Sequence, residues 1–222
     1  KEALQISGVI VLDDTSKLRQ VSKERTVFTE EALLIEAASQ TVSQAISEEV
    51  QPTALVVGVD GIIEGWQEAF FKRVVVDGPL GASPLEFPFT SPNALAARLS
   101  IRFGIRGESL TITSGPLSFL KAIIYASELV RAGIAKVVLV GGVASGKVMT
   151  MLVGSLLGEL GIEEFGEQGK ATHILRSIEE SFDAFITALG KTRQCELSKR
   201  PRFSFGDSSG NSVHFRFSEA SQ

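Results

Sequence analysis

The stretch Ser109 to Ser145, SLTITSGPLSFLKAIIYASELVRAGIAKVVLVGGVAS, decides how this chain is read. Leu110, Thr111, Ile112, Thr113 and Ser114 open the stretch as a short run. Gly115-Pro116 breaks that run. From Phe119 to Arg131, Leu120, Ile123, Ile124, Leu129 and Val130 recur at helical spacing, with Gly133 at the end. Lys136 to Val140 reads as a buried strand that reaches Gly141-Gly142, where missing side chains let the backbone approach a neighbour closely.

Upstream, Leu4 to Leu12 is an apolar run holding Gly8 and is expected to be a buried strand. Thr29 is expected to cap a helix with Glu30 and Glu31 in its first turn. Its apolar positions are Leu33, Leu34, Ala37, Ala38, Thr41, Val42, Ala45 and Ile46, and it stops before Pro52. Ala54 to Val59, ALVVGV, is fully apolar, as strands of parallel sheets are. Strand, helix, strand in that order gives an α/β fold. Between Asp60 and Phe89 glycines and prolines interrupt every period, leaving a short helix around Trp66 to Phe71. Ser91-Pro92-Asn93 is expected to open the next helix, with serine as N-cap and proline at the first position; ALAARLSIRF follows and Gly104 closes it.

These pieces resemble the β-ketoacyl synthases. In that family a strand of the form (L/V)T(V/I)S runs into Ala-Cys, then a long helix and a buried strand ending Gly-Gly. Here Thr111, Ile112, Thr113 and Ser114 match the strand end, Gly115 the alanine, and the nucleophile position falls on Pro116. Pro92, Asn93, Ala96, Ala97, Ser100, Ile101, Gly104, Ile105 and Gly107 match a second family segment. Downstream, Gly166 to Ala171 followed by THILRSIEES resembles the family's G-E-G-A segment, a strand and a helix start. Phe203 to Ser212 resembles its closing N-S-F-G-F-G-G loop, with Asp207 replacing a phenylalanine and Ser208-Ser209 the two glycines.

The resemblance implies a thiolase-like layered α/β fold with a central mixed sheet. It implies one domain over 1–222, with 1–145 as the first half of a ketosynthase and 146–222 as a reduced C-terminal segment. It also implies lost chemistry: proline cannot be acylated, and it has no backbone N–H to offer an oxyanion. No catalytic residue is therefore expected, nor any cofactor or metal. The family includes inactive chain-length factors, which pair with an active ketosynthase and shape its acyl tunnel, and this chain resembles that class, particularly the shortened chain-length-factor-like proteins of aryl-polyene-type pathways. That implies a full-length ketosynthase partner, or a second copy of the chain, with an acyl carrier protein as a further candidate. Leu110, Ile112 and Ser114 would form the pairing strand. Leu117, Phe119, Leu95 and Leu99 would face tunnel or partner, or else serve as ordinary core.

The remaining chemistry-bearing residues read as bland. His173 and His214 lie inside expected strands and outside any family histidine motif, so each is an imidazole packed in or beside a sheet. Cys195, in TRQCELSKR, has Lys191, Arg193 and Lys199 nearby but no ordered base. Glu163-Glu164 and Glu179-Glu180 read as solvated charge on helices. Ser114 and Ser118 are the nearest substitute nucleophiles for a decarboxylase reading, again without a base. A net charge of −4 without a basic cluster argues against nucleic acid or an anionic membrane as partner. A single cysteine, no apolar run of about 18 residues and no basic-then-apolar leader pattern give the expectation of a cytoplasmic chain.

Overall fold

The computed structural model describes residues 4–13, 28–44, 51–155, 160–167, 169–194 and 201–219. Cys195 and Lys199, and the last expected helical positions Ala45 and Ile46, lie outside the described residues. Nine described strands form one mixed sheet. They are β1 (Leu4–Asp13), β2 (Ala54–Val59), β3 (Ser109–Ile112), β4 (Val137–Ala144), β5 (Lys147–Gly154), β6 (Leu160–Gly166), β7 (His173–Ile174), β8 (Arg202–Gly206) and β9 (Ser212–Glu219). Their order is β3-β2-β4-β5-β1-β6-β9-β8-β7. β2 runs parallel to both β3 and β4, and antiparallel pairing continues from β4 through β5, β1 and β6 to β9. Five described α-helices pack on it: α1 (Thr29–Gln44), α2 (Ile62–Asp77), α3 (Ala94–Phe103), α4 (Ser118–Arg131) and α5 (Ile178–Gln194).

The two-residue period of the strands sorts their side chains into two cores. On one face, Leu55, Val57, Leu139, Val148 and Leu152 pack with α1, α2 and α3. On the other, Val56, Val138, Val140, Met149, Met151 and Val153 pack with α4 and α5. That second core also takes Phe203, Phe205, Val213, Phe215 and Phe217 from β8 and β9. The sheet therefore wraps around α4 and α5, and the C-terminal residues complete a layer over them. Phe185 shows the join: its ring meets Phe119 edge-on at 5.6 Å and Phe217 at 5.6 Å.

Several local expectations change. The helix expected only around Trp66 to Phe71 runs from Ile62 to Asp77, straight through Gly65. Tertiary contacts sustain it: Arg73 pairs with Glu86, and Gln67 Nε2 donates to the Thr90 carbonyl at 2.7 Å. α3 begins at Ala94 with Asn93 as its cap, because the Ser91 hydroxyl donates to Asn93 Oδ1 at 2.6 Å instead of capping the helix. Residues 147–154, with no assigned element from sequence, form β5, joined to β4 through Ser145-Gly146. Glu163 and Glu164 lie on strand β6 beside a register shift, not on a helix. Glu180 is more than solvated charge: its Oε2 accepts from the Arg176 N–H at 2.9 Å ahead of α5. Among the described residues, no helix is long and apolar enough to cross a membrane.

Candidate functional site

β3 ends at Ile112, and the chain reverses through Thr113 to Leu117 before α4 begins at Ser118. Gly115 takes φ of +56°, the left-handed conformation that glycine adopts without a Cβ penalty. The Ser118 side chain is completely buried and stitches the turn. Its hydroxyl donates to the Gly115 carbonyl at 2.7 Å and accepts from the Ser114 N–H at 2.8 Å. The Leu117 and Ser118 N–H groups donate back to the carbonyls of Ser114 and Gly115, at 3.3 and 3.0 Å. Pro116 sits at the crest, two residues ahead of α4. The imino acid there offers neither a reactive side chain nor an N–H.

Two glycines make this placement possible. A Cβ on Gly58 of β2 would lie 2.5 Å from the Ser118 carbonyl carbon and 2.6 Å from the Phe119 nitrogen. A Cβ on Gly142 of β4 would lie 2.5 Å from both the Phe119 and Phe182 rings. The close approach expected at Gly141-Gly142 is thus made at Gly142. Sequence reading missed Gly58; the glycine inside the otherwise β-branched run ALVVGV was the available signal.

The residues singled out from sequence divide into two groups. Leu117 and Phe119 are 0 % exposed in the core around α4, and Phe119 meets Phe182 edge-on at 5.0 Å. Leu95 and Leu99 are 1 % and 0 % exposed in the core on the opposite face of the sheet. In this chain by itself all four are packed as core. Leu110, Ile112 and Ser114 are only half-buried. β3 pairs with β2 on one side and ends the sheet order, so its other edge is open. α3 and α4 flank β3 from the two faces of the sheet and bring exposed Ile101 and half-exposed Tyr125 with them. An unprotected edge between apolar flanks is a template for another strand.

The two histidines lie on strands at the opposite end of the sheet order from β3. His173 is exposed on β7 with Nδ1 2.9 Å from the Thr172 hydroxyl, and half-buried His214 lies on β9 opposite Ser204. The loop after β8 is organised by Asp207, whose Oδ1 accepts from the N–H groups of Ser209 and Asn211 at 2.9 and 3.0 Å. A side-chain hydrogen bond from Asn211 is the main cause holding its carboxyl below the usual aspartate range. Asp60, just past β2, is shifted upward, chiefly by burial and then by the negative charges of Glu64 and Glu179.

Comparisons with known proteins agree with this architecture. The chain superimposes on a chain of the ketosynthase–chain length factor complex from Xenorhabdus doucetiae with a TM-score of 0.68 and 13% identity, covering 99% of this chain and 100% of that one. It matches a chain of a type II PKS acyl-carrier protein–ketosynthase complex bound to the hexaketide with a TM-score of 0.71 and 12% identity, again over 99% and 100%. A third match is 3-oxoacyl-[acyl-carrier-protein] synthase III from Aquifex aeolicus, with a TM-score of 0.56 and 11% identity over 97% of this chain and 99% of that one. The fold is thus the thiolase-like layered α/β arrangement. In sequence, 89 residues are 35% identical to nodulation protein E of Rhizobium sp. (strain N33), covering 39% of this chain but only 22% of that protein. The model of the β-ketoacyl synthase N-terminal domain matches residues 21–160, and with the β3-turn-α4 unit in its place the chain belongs to that family.

Proposed function

We propose that this chain is a non-catalytic, chain-length-factor-like subunit that pairs through β3 with an active ketosynthase in fatty-acid or polyketide biosynthesis of the aryl-polyene type. Pro116 at the mouth of α4 carries the reading, because it stands where an acyl-accepting thiol would be needed. Two of the solved chains that this one spans end to end come from ketosynthase complexes, one described with its chain length factor, which supports the same role. Leu110, Ile112 and Ser114 supply the pairing strand. Leu117 and Phe119 beneath the turn, with Leu95 and Leu99 behind β2, hold that strand and turn in the shape the partner meets.

The decarboxylase alternative loses one of its nucleophiles. Ser118 is buried with its hydroxyl engaged twice, so it cannot attack a substrate without dismantling the turn. A second copy of this chain is the other occupant that an open β3 edge can take. Intact-mass analysis of the species that co-elutes with the chain decides: a ketosynthase is expected, and elongation by that ketosynthase should fall when this chain is left out. A covalent acyl adduct trapped on the isolated chain would overturn the proposal.

A further inference from the structure

α2 and the two short 3-10 turns after it, Pro79–Gly81 and Phe87–Thr90, form an arm with an unusual surface. α2 buries Ile62, Ile63, Trp66 and Phe70, and its outward side mixes exposed Glu64, Glu68, Lys72 and Asp77 with large apolar side chains. Phe71 is 54% exposed, Val75 83%, Val76 72%, Leu80 101%, Leu85 63% and Phe87 60%. A surface helix of a soluble protein normally turns polar residues outward, so apolar side chains this exposed, on α2 and the turns after it, are a surface that another chain can cover. These six side chains present on the order of 700 Å² of apolar surface. Summed, that approaches the ~800 Å² per partner of a standard interface.

The arm is also held in shape. Phe70 meets Phe71 edge-on at 5.5 Å and Phe87 at 5.8 Å, and the Arg73–Glu86 pair ties the helix to the returning chain. Glu68, Lys72 and Asp77 are exposed among these apolar side chains. The arm is linked to the open edge of the sheet through α3. The second 3-10 turn packs on both α2 and α3, and α3 packs on β3 and carries Ile101, 78% exposed.

We propose that this bare face of the arm docks on the same ketosynthase chain that takes up the β3 edge; the inference rests on the pairing proposed above. The arm then extends a short four-residue strand contact into a full-sized interface.

The test uses the ketosynthase identified by intact mass as the co-eluting partner of the unmodified chain. The double variant Val75→Glu/Val76→Glu should weaken that complex at least tenfold in sedimentation or biolayer measurements, while the far-UV CD and melting curve of the chain alone stay as before. In hydrogen exchange, residues 71–87 should be protected in the complex and not in the free chain. If Ile112→Asp breaks the complex and Val75→Glu/Val76→Glu leaves it intact, the arm proposal fails and strand pairing stands. If no ketosynthase co-elutes with the unmodified chain, both fail. Self-association of the chain abolished by the double variant would give the face to a second copy and overturn the assignment.

Discussion

At Gly58 the only atom between β2 and the start of α4 is a hydrogen. Gly58→Ala would drive a methyl group into the Ser118 carbonyl, backbone against backbone, so it should cost about 2–3 kcal/mol in urea unfolding. Gly115 is the contrasting case: its φ of +56° strains any other residue, yet nothing lies within 4 Å of a Cβ there. Gly115→Ala should therefore cost only about 1 kcal/mol, from backbone strain alone. Charge at single residues makes a pH-dependent prediction. Asp60 is raised in the folded chain, so its ionisation opposes folding; that penalty is complete above the folded pKa and vanishes below the ordinary value of 3.8. Asp60→Asn should raise the melting temperature near pH 7 and lose the advantage near pH 3. Asp207 has the opposite sign: its folded pKa is depressed, so its contribution is present above the unfolded pKa and lost as pH falls through the folded one. Asp207→Asn should destabilise at pH 7 and much less at low pH. Pro116→Cys should not by itself confer condensation on the isolated chain, since neither His173 nor His214 lies in a family histidine motif; radiolabelled malonyl condensation is the readout.

Elements carry the association. β3 offers four residues and one open edge, and half-buried Ile112 sits where a partner strand would lie. Ile112→Asp should split the assembly, seen as a shift to the monomer in sedimentation velocity, and leave the released chain poorly soluble because an apolar edge is bared. α4 and α5 play a different part. Their N-terminal turns are fixed by Gly142 beneath Phe119 and Phe182 on one side, and by Glu180 accepting from Arg176 on the other. Together they fill the space between the two parts of the sheet.

For the whole molecule the consequence is shared stability. One hydrophobic core contains side chains of β2, β4 and β5 together with those of β8 and β9, so the N-terminal and C-terminal portions should unfold together. Phe185→Ala, which removes the ring between Phe119, Phe215 and Phe217, should cost about 3–5 kcal/mol. The single tryptophan, Trp66, lies in the other core on the far face of the sheet, against Phe28 and Phe89. Its fluorescence transition should nevertheless move to the same denaturant midpoint as the far-UV CD. Two separate midpoints would mean that the C-terminal layer is an independent unit.

Much of this was legible in the chain because strands buried on both faces write themselves as unbroken apolar runs. Ala54 to Val59 and Lys136 to Val140 stood out as apolar runs, the helix after Pro116 by its period, and the turn at Pro116 by its resemblance to the ketosynthase segment. The wrong or missing readings share one cause: local pattern cannot report contacts made far along the sequence. α2 runs past its expected end because Glu86 and Thr90 hold it, and Ser91 serves a turn instead of a helix. Residues 147–154 are a strand because β1 and β4 lie on either side. Which half-buried residues face outward was also a tertiary outcome. Leu95, Leu99, Leu117 and Phe119 carry the same apolar letters as Leu110, Ile112 and the exposed side of α2, and only the packing of helices on the sheet separates core from open surface.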